Sequence, residues 1–362
     1  MAYSCDEIRI LTGREVVRKR PGMYFGGTDR EAMHHLIWEV IGNAIDEYRR
    51  GHGTTVRVTF NFDEVTIEDD GRGIPVEPSP TAPTVTQLEL VMTCLHGGSG
   101  YSQEHVHLAS SLRGCGIAAV NAVCERLDIE VWRARRHHVQ SYARGVPLGP
   151  PRDLGACSRT GTRVRFVPDP TIFDGVWDPP LVAARLRELA AMAPGLTLVC
   201  DGEVFRCLDG LADRVRYLAC DRTLPERPIE ILAIDKGIAV TAAIAWSDDD
   251  RAVTEAYVGM AHARGTHLTG FVRGVFGAFT RLEPGLAKVD RVAFREVIER
   301  GLVAVLHVQL QDPRFGSPSR SWLTNPEVAT VVAAAVRSQL AAALLARGVL
   351  TTLFTRGPRV AN

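Results

Sequence analysis

Glu64-Val65-Thr66-Ile67-Glu68-Asp69-Asp70-Gly71-Arg72-Gly73-Ile74-Pro75 is the stretch whose reading decides the fold. Its first half alternates apolar and polar residues, the period of a half-buried strand. Thr55 to Phe60 alternates likewise, and Asn61-Phe62-Asp63 between the two runs predicts a hairpin. The second strand ends in a carboxylate followed by two glycines. Such a carboxylate can accept from an exocyclic amine while backbone closes over a flat ring, because glycine lets the chain come close. Taken alone, D-x-G-x-G is a turn.

Upstream, Thr28 to Arg50 carries Met33, Leu36, Ile37, Val40, Ile41, Ala44 and Ile45 at helical spacing, which predicts an amphipathic helix. Thr28 and Glu31 fit a capping box and Gly51 a left-handed stop. Glu39 and Asn43 are one turn apart, at the edge of the apolar stripe. A half-shielded carboxylate can act as a general base toward water, and an amide oxygen one turn away can ligand Mg²⁺ without adding charge. An isolated E-x-x-x-N is more often an ordinary border pair.

Downstream, Thr84 to Leu95 is apolar-periodic and runs into His96-Gly97-Gly98-Ser99-Gly100, read as a mobile loop that lacks core-forming residues until Leu108. Gly114-Cys115-Gly116 opens a helix through Val123; free amides at a helix start suit phosphates, and the alternative is a tight loop packing against a strand. Strands are expected at 128–133, 139–144 and 161–167. The last follows Thr160-Gly161-Thr162, which could give a hydroxyl to a base edge or be a plain strand start. A helix over 180–192 and a hairpin turning at Asp201-Gly202 complete one α+β unit. The second half reads as a helix over 210–219, strands over 229–234, 238–246 and 253–258, helices over 267–281 and 292–300, and a strand over 302–311. A last helix follows, capped by Asn325, opened by Pro326 and stopped by Gly348. These patterns place two domains at 1–208 and 209–362.

Composition bounds the function. The chain has 362 residues, 42 basic and 42 acidic, so no chain-wide positive field exists to hold DNA unaided. Hydrophobic residues make up 46% and charged residues 23%, the balance of an ordinary globular protein. No apolar run stands out as one of the roughly 20 residues that span a bilayer. Eight cysteines without a CxxC pair, and no signal-peptide pattern, point to reduced thiols in the cytoplasm. The only lysines, Lys19, Lys236 and Lys288, precede Arg, Gly and Val, which excludes a P-loop.

Order and spacing join the weak signals. Glu39-x-x-x-Asn43, Asp69-x-Gly71-x-Gly73, a glycine-rich lid, Gly114-x-Gly116 and Thr160-Gly161-Thr162 together resemble the GHKL ATPases, which bind ATP without a P-loop. Val17 to Tyr24, Asn43-Ala44-Ile45-Asp46-Glu47, Asp69 to Pro75 and Gly265-Thr266-His267-Leu268-Thr269-Gly270-Phe271 are similar to the B proteins of bacterial gyrase and topoisomerase IV, over nearly the whole chain. The resemblance implies a GHKL (Bergerat) α/β sandwich followed by a ribosomal-S5-like transducer domain. It also implies ATP-driven closure of a homodimer coupled to DNA strand passage, with a gyrase A-type subunit and DNA as partners.

It implies roles as well: Glu39 the general base, Asn43 the Mg²⁺ ligand, and Asp69 with Thr162 the grip on the adenine amino group. Val40, Ala44, Ile74, Pro75 and Val91 would wall the adenine pocket, and Arg72, paired with Glu47, would cover its mouth. Gly73, Gly97, Gly98, Leu112, Gly114, Cys115 and Gly116 would line the nucleotide, and Arg133 would meet aminocoumarin drugs. Tyr3 and Ile8 would belong to an arm crossing to the other subunit. The family's Gln-Thr-Lys, whose lysine touches the γ-phosphate, reads Pro318-Ser319-Arg320 here, and its lid Gly-Gly reads Ser110-Ser111. Arginine keeps the charge but is not a point-charge substitute for ammonium, so nucleotide binding is expected more firmly than efficient hydrolysis. The family's acidic TOPRIM domain has no counterpart in these residues, and the expectation is that strand passage needs further chains. A second reading is therefore a stand-alone paralogue that binds nucleotide or gyrase as a regulatory or drug-binding module.

Overall fold

The computed structural model describes residues 11–95, 116–288, 296, 298–316 and 320–348. Tyr3, Ile8, Gly97, Gly98, Leu112, Gly114, Cys115, Pro318, Ser319 and residues 292–295 and 297 of the helix read over 292–300 lie outside them. The chain divides into two compact units, residues 1–206 and 207–362.

The first unit opens with α1 (Gly13–Lys19) and a short α2 (Pro21–Phe25), followed by α3 (Arg30–Arg49). The hairpin of β1 (Thr55–Asn61) and β2 (Glu64–Asp69) forms as the alternation predicts. Then come α4 (Gln87–Thr93), α5 (Gly116–Val123), β3 (Cys124–Arg133), β4 (Arg136–Ala143), β5 (Val146–Pro147), β6 (Arg152–Ala156), β7 (Gly161–Pro168), α6 (Pro179–Met192), β8 (Thr197–Cys200) and β9 (Glu203–Phe205). The strands make one sheet in the order β5-β4-β3-β7-β2-β1-β8-β9, with β6 beside β4. Alternation along β2, β3 and β7 buries Val65, Ile67, Ile129, Val131, Val164 and Phe166. On the opposite face Arg163 bridges Glu68 and Glu130.

Two expectations about caps need correction. The Thr28–Glu31 capping box does not form: α3 starts two residues after Thr28, and Asp29 accepts from the Ala32 amide at 2.8 Å. Aspartate caps as well as threonine and adds charge at the positive end of the helix dipole, so the start shifts by one residue. Asn325 sits at the cap position of the last helix without capping it; its side chain accepts from the Arg314 amide and donates to the Asp312 carbonyl and to Glu327.

The second unit is a five-stranded sheet in the order β10-β11-β15-β12-β13, built from β10 (Ile229–Asp235), β11 (Ile238–Trp246), β12 (Val253–Val258), β13 (Ala261–His262) and β15 (Leu302–Leu310). A separate two-stranded pair joins β14 (Arg264–Gly265) to β16 (Trp322–Leu323). Helix α7 (Leu211–Leu218) precedes the sheet in sequence. Helix α8 (Thr266–Leu282) and the helix Pro326–Arg347 pack on the sheet: Phe271, Val275, Phe279, Val332, Val336 and Leu340 share one core with Ile231, Val240 and Leu306. The two helices touch closely, since a Cβ on Gly270 would lie 2.5 Å from the Ala329 carbonyl oxygen. Contrary to the expectation from apolar runs, Pro326–Arg347 is long and apolar enough by composition to cross a membrane; half of its apolar window is buried in this core. The six described cysteines are free thiols.

Candidate functional site

Glu39 lies on the inward face of α3 with 1% exposure, deeper than the stripe-edge position expected from its spacing. The Gly116 amide, at the first residue of α5, donates to its Oε2 at 3.2 Å. A carboxylate at the amino end of a helix gains from the dipole as well as from the bond. Asn43, one turn further on, is exposed, and its amide has no hydrogen-bond partner among the described residues. Its carbonyl oxygen is a hard, neutral donor of the kind Mg²⁺ takes.

Asp69 closes β2 and stands opposite Thr162 of β7 in the antiparallel register. Its Oδ1 accepts from the Gly71 amide at 2.9 Å. Burial, with the Glu47 and Asp70 carboxylates adding to it, pushes its carboxyl up to about 6 against the pull of the N–H donors of Gly71 and Thr162. Asp70 faces the other way and is structural: it accepts from the Thr54 and Thr55 amides at 2.6 and 2.8 Å, anchoring the hairpin.

The glycines here are demanded by contact. Gly161, at φ 135°, would place a Cβ 2.0 Å from the Asp69 carbonyl oxygen, and Gly73, at φ 77°, one 2.7 Å from the Trp132 carbonyl oxygen. Side chains at either position would force β2, β3 and β7 apart at their shared end. Ile74, next along, is half-buried, and Val40 and Ala44 of α3 are buried. Thr162 is buried as well, at 7% exposure.

Arg72 pairs with Glu47 as the resemblance implied: its Nε and one terminal nitrogen each reach a carboxylate oxygen at 2.9 Å. Although burial opposes ionisation, this pairing holds the Glu47 carboxyl below its ordinary range. Arg133 donates to the Gly73 carbonyl at 2.8 Å, fixing the loop from β3. Arg320 belongs to the second unit, where it precedes β16, adopts φ 55° and stands with its guanidinium 5.8 Å from the Phe315 ring.

One grouping had no signal in the sequence. Arg14 and Arg18, one turn apart on α1, reach the Arg144 carbonyl and the Ala122 carbonyl respectively, and Arg18 also bonds Asp169. The partners lie 104 to 151 residues away in sequence, beyond any local pattern.

With a buried carboxylate on α3, a second carboxylate at a strand end and glycine-dependent closure of the strands beside it, the first unit has the α/β fold of the Bergerat ATPases. Residues 28–172 match the family model for histidine kinase-, DNA gyrase B- and HSP90-like ATPases, and residues 210–354 match that for DNA gyrase B. The DNA gyrase B protein of Thermus thermophilus is 37% identical over 94% of this chain and 56% of its own length; that of Myxococcus xanthus is 36% identical over 93% of this chain and 43% of its own. The crystal structure of the 43K ATPase domain of Thermus thermophilus gyrase B in complex with an aminocoumarin superposes with a TM-score of 0.79 at 32% identity, covering 95% of this chain and 93% of that one. The chain belongs to the DNA gyrase B family and carries its GHKL ATPase and transducer folds. It spans about half the length of the curated relatives it matches.

Proposed function

We propose that this chain binds ATP with Mg²⁺, hydrolyses it, and serves as the gyrase B-like part of a type IIA topoisomerase, in which ATP-driven closure of a homodimer is coupled to DNA strand passage with a gyrase A-type subunit. The observation that carries this is the placing, within one unit, of buried Glu39 on α3 and of Asp69 at the end of β2 with its carboxyl pushed up by burial. Glu39 accepts the proton of the attacking water, and the α5 amino end holds it in place. Asp69, with Thr162, accepts the adenine amino group; Ile74, Val40 and Ala44 supply the apolar walls. Asn43 would hold the Mg²⁺, which neutralises phosphate charge when bound. Arg320 offers a guanidinium to the terminal phosphate. The ATPase unit is 1–208 and the transducer 209–362, with Tyr3 and Ile8 in the arm that swaps between subunits.

The test is ATP turnover by the purified chain across protein concentrations. The expected rate rises faster than linearly, because a swapped arm completes the site only in the dimer. Nucleotide binding without turnover at any concentration would favour the binding-module reading.

Affinity should also depend on pH in a defined direction. Because the folded Asp69 carboxyl titrates at about 6, above the ~4 of an unfolded chain, the empty domain gains stability from its proton below this window and loses it as pH rises through it. An amine donor favours the ionised carboxylate, so calorimetric affinity for an adenine nucleotide should rise from pH 5 to pH 8. Asp69→Asn should flatten that rise and weaken binding by about 10- to 100-fold, the worth of one charge-assisted hydrogen bond.

A further inference from the structure

Helix α5 is held at both ends by groups from distant parts of the chain. At its amino end the Gly116 amide reaches Glu39. At its carboxyl end, about 9 Å away at 1.5 Å per residue, Arg18 of α1 donates to the Ala122 carbonyl at 2.9 Å and the Asp169 amide to the Val123 carbonyl at 2.9 Å. The same Arg18 guanidinium spans to the Asp169 carboxylate at 2.7 Å. That carboxylate has no solvent exposure and also takes Arg144 at 2.9 Å and the Thr171 hydroxyl at 2.7 Å. Although burial opposes its ionisation, these donors hold the Asp169 carboxyl well below the usual range. Arg14, one turn before Arg18, closes the same junction: it bonds the Arg144 carbonyl at 3.1 Å, and its stem lies against Gly145, where a Cβ would also come 2.9 Å from Ala122 Cα.

A cation at the carboxyl end of a helix satisfies orphan carbonyls and favours the dipole whose positive end faces Glu39. We propose that Arg18 is a positioning residue for Glu39: by tying the carboxyl end of α5 to buried Asp169, it keeps α5 in the seat from which the Gly116 amide orients the carboxylate. The inference rests on Glu39 being the base. It assigns α1 a part in hydrolysis. A lysine at position 18 can serve the Ala122 carbonyl or Asp169 but lacks the planar fork that serves both.

The test compares Arg18→Ala and Arg18→Lys with the unaltered full chain in single-turnover ATP hydrolysis, affinity for a non-hydrolysable ATP analogue, and amide exchange over residues 116–123. Arg18→Ala should lower the hydrolysis step by about 10- to 100-fold, keep analogue affinity within about threefold, and speed exchange within α5 while α3 stays protected. Arg18→Lys should recover part of the rate. Loss of analogue affinity in proportion to rate, or an unchanged rate with faster exchange, would overturn the proposal. So would an alanine variant that does not fold paired with a lysine variant of unaltered rate. Turnover surviving in Glu39→Gln would instead overturn the assignment of the base, and the positioning role of Arg18 with it.

Discussion

Glu39→Gln should lower ATP turnover by about 10²- to 10⁴-fold, the usual worth of a positioned general base, with nucleotide affinity nearly unchanged. Glutamine has the shape of glutamate and its carbonyl oxygen can still accept from the Gly116 amide at the distance glutamate uses. What it loses is the capacity to take a proton. Glu39 is 1% exposed on α3, so bulk solvent cannot easily replace it. Steady-state turnover beside calorimetric binding of the nucleotide separates the two effects. A variant that turns over at the original rate would remove Glu39 from the chemistry.

Gly161→Ala is the substitution expected to cost most stability. Its Cβ would stand 2.0 Å from the Asp69 carbonyl oxygen, and φ 135° is itself hostile to a side chain. Backbone rather than a flexible side chain is in the way, so β7 must move from β2. Strain of both kinds gives an expected loss of about 3–5 kcal/mol, a fall in Tm of roughly 10 °C for a unit of this size. Because Thr162 pairs with Asp69 in the same register, adenine-nucleotide affinity should fall with it. A thermal melt with and without nucleotide tests both; an unchanged Tm would mean the strands relax at little cost. Gly202, at φ 91° but with open space around it, is the control, where only the turn conformation is disturbed.

The sequence by itself determined the elements whose signals are local. The hairpin over 55–69 and the long helices over 30–49 and 326–347 follow from periodicity. Glu39 with Asn43, and Asp69 with its two glycines, were legible as chemistry only because their order along the chain matched a family. The tertiary structure decided what depends on approach between distant segments. It buried Glu39 where spacing alone suggested a border. Asp29, not Thr28, caps α3, since neighbouring residues compete for a cap within a fraction of a kcal/mol and packing settles the choice. Gly161 is required by the Asp69 carbonyl, a contact no turn rule encodes. Arg18 and Asp169, 151 residues apart, meet because α1, α5 and the end of β7 converge on one buried carboxylate. Ionic pairing at long range leaves no periodic trace in a sequence, whereas backbone propensity and amphipathic spacing do.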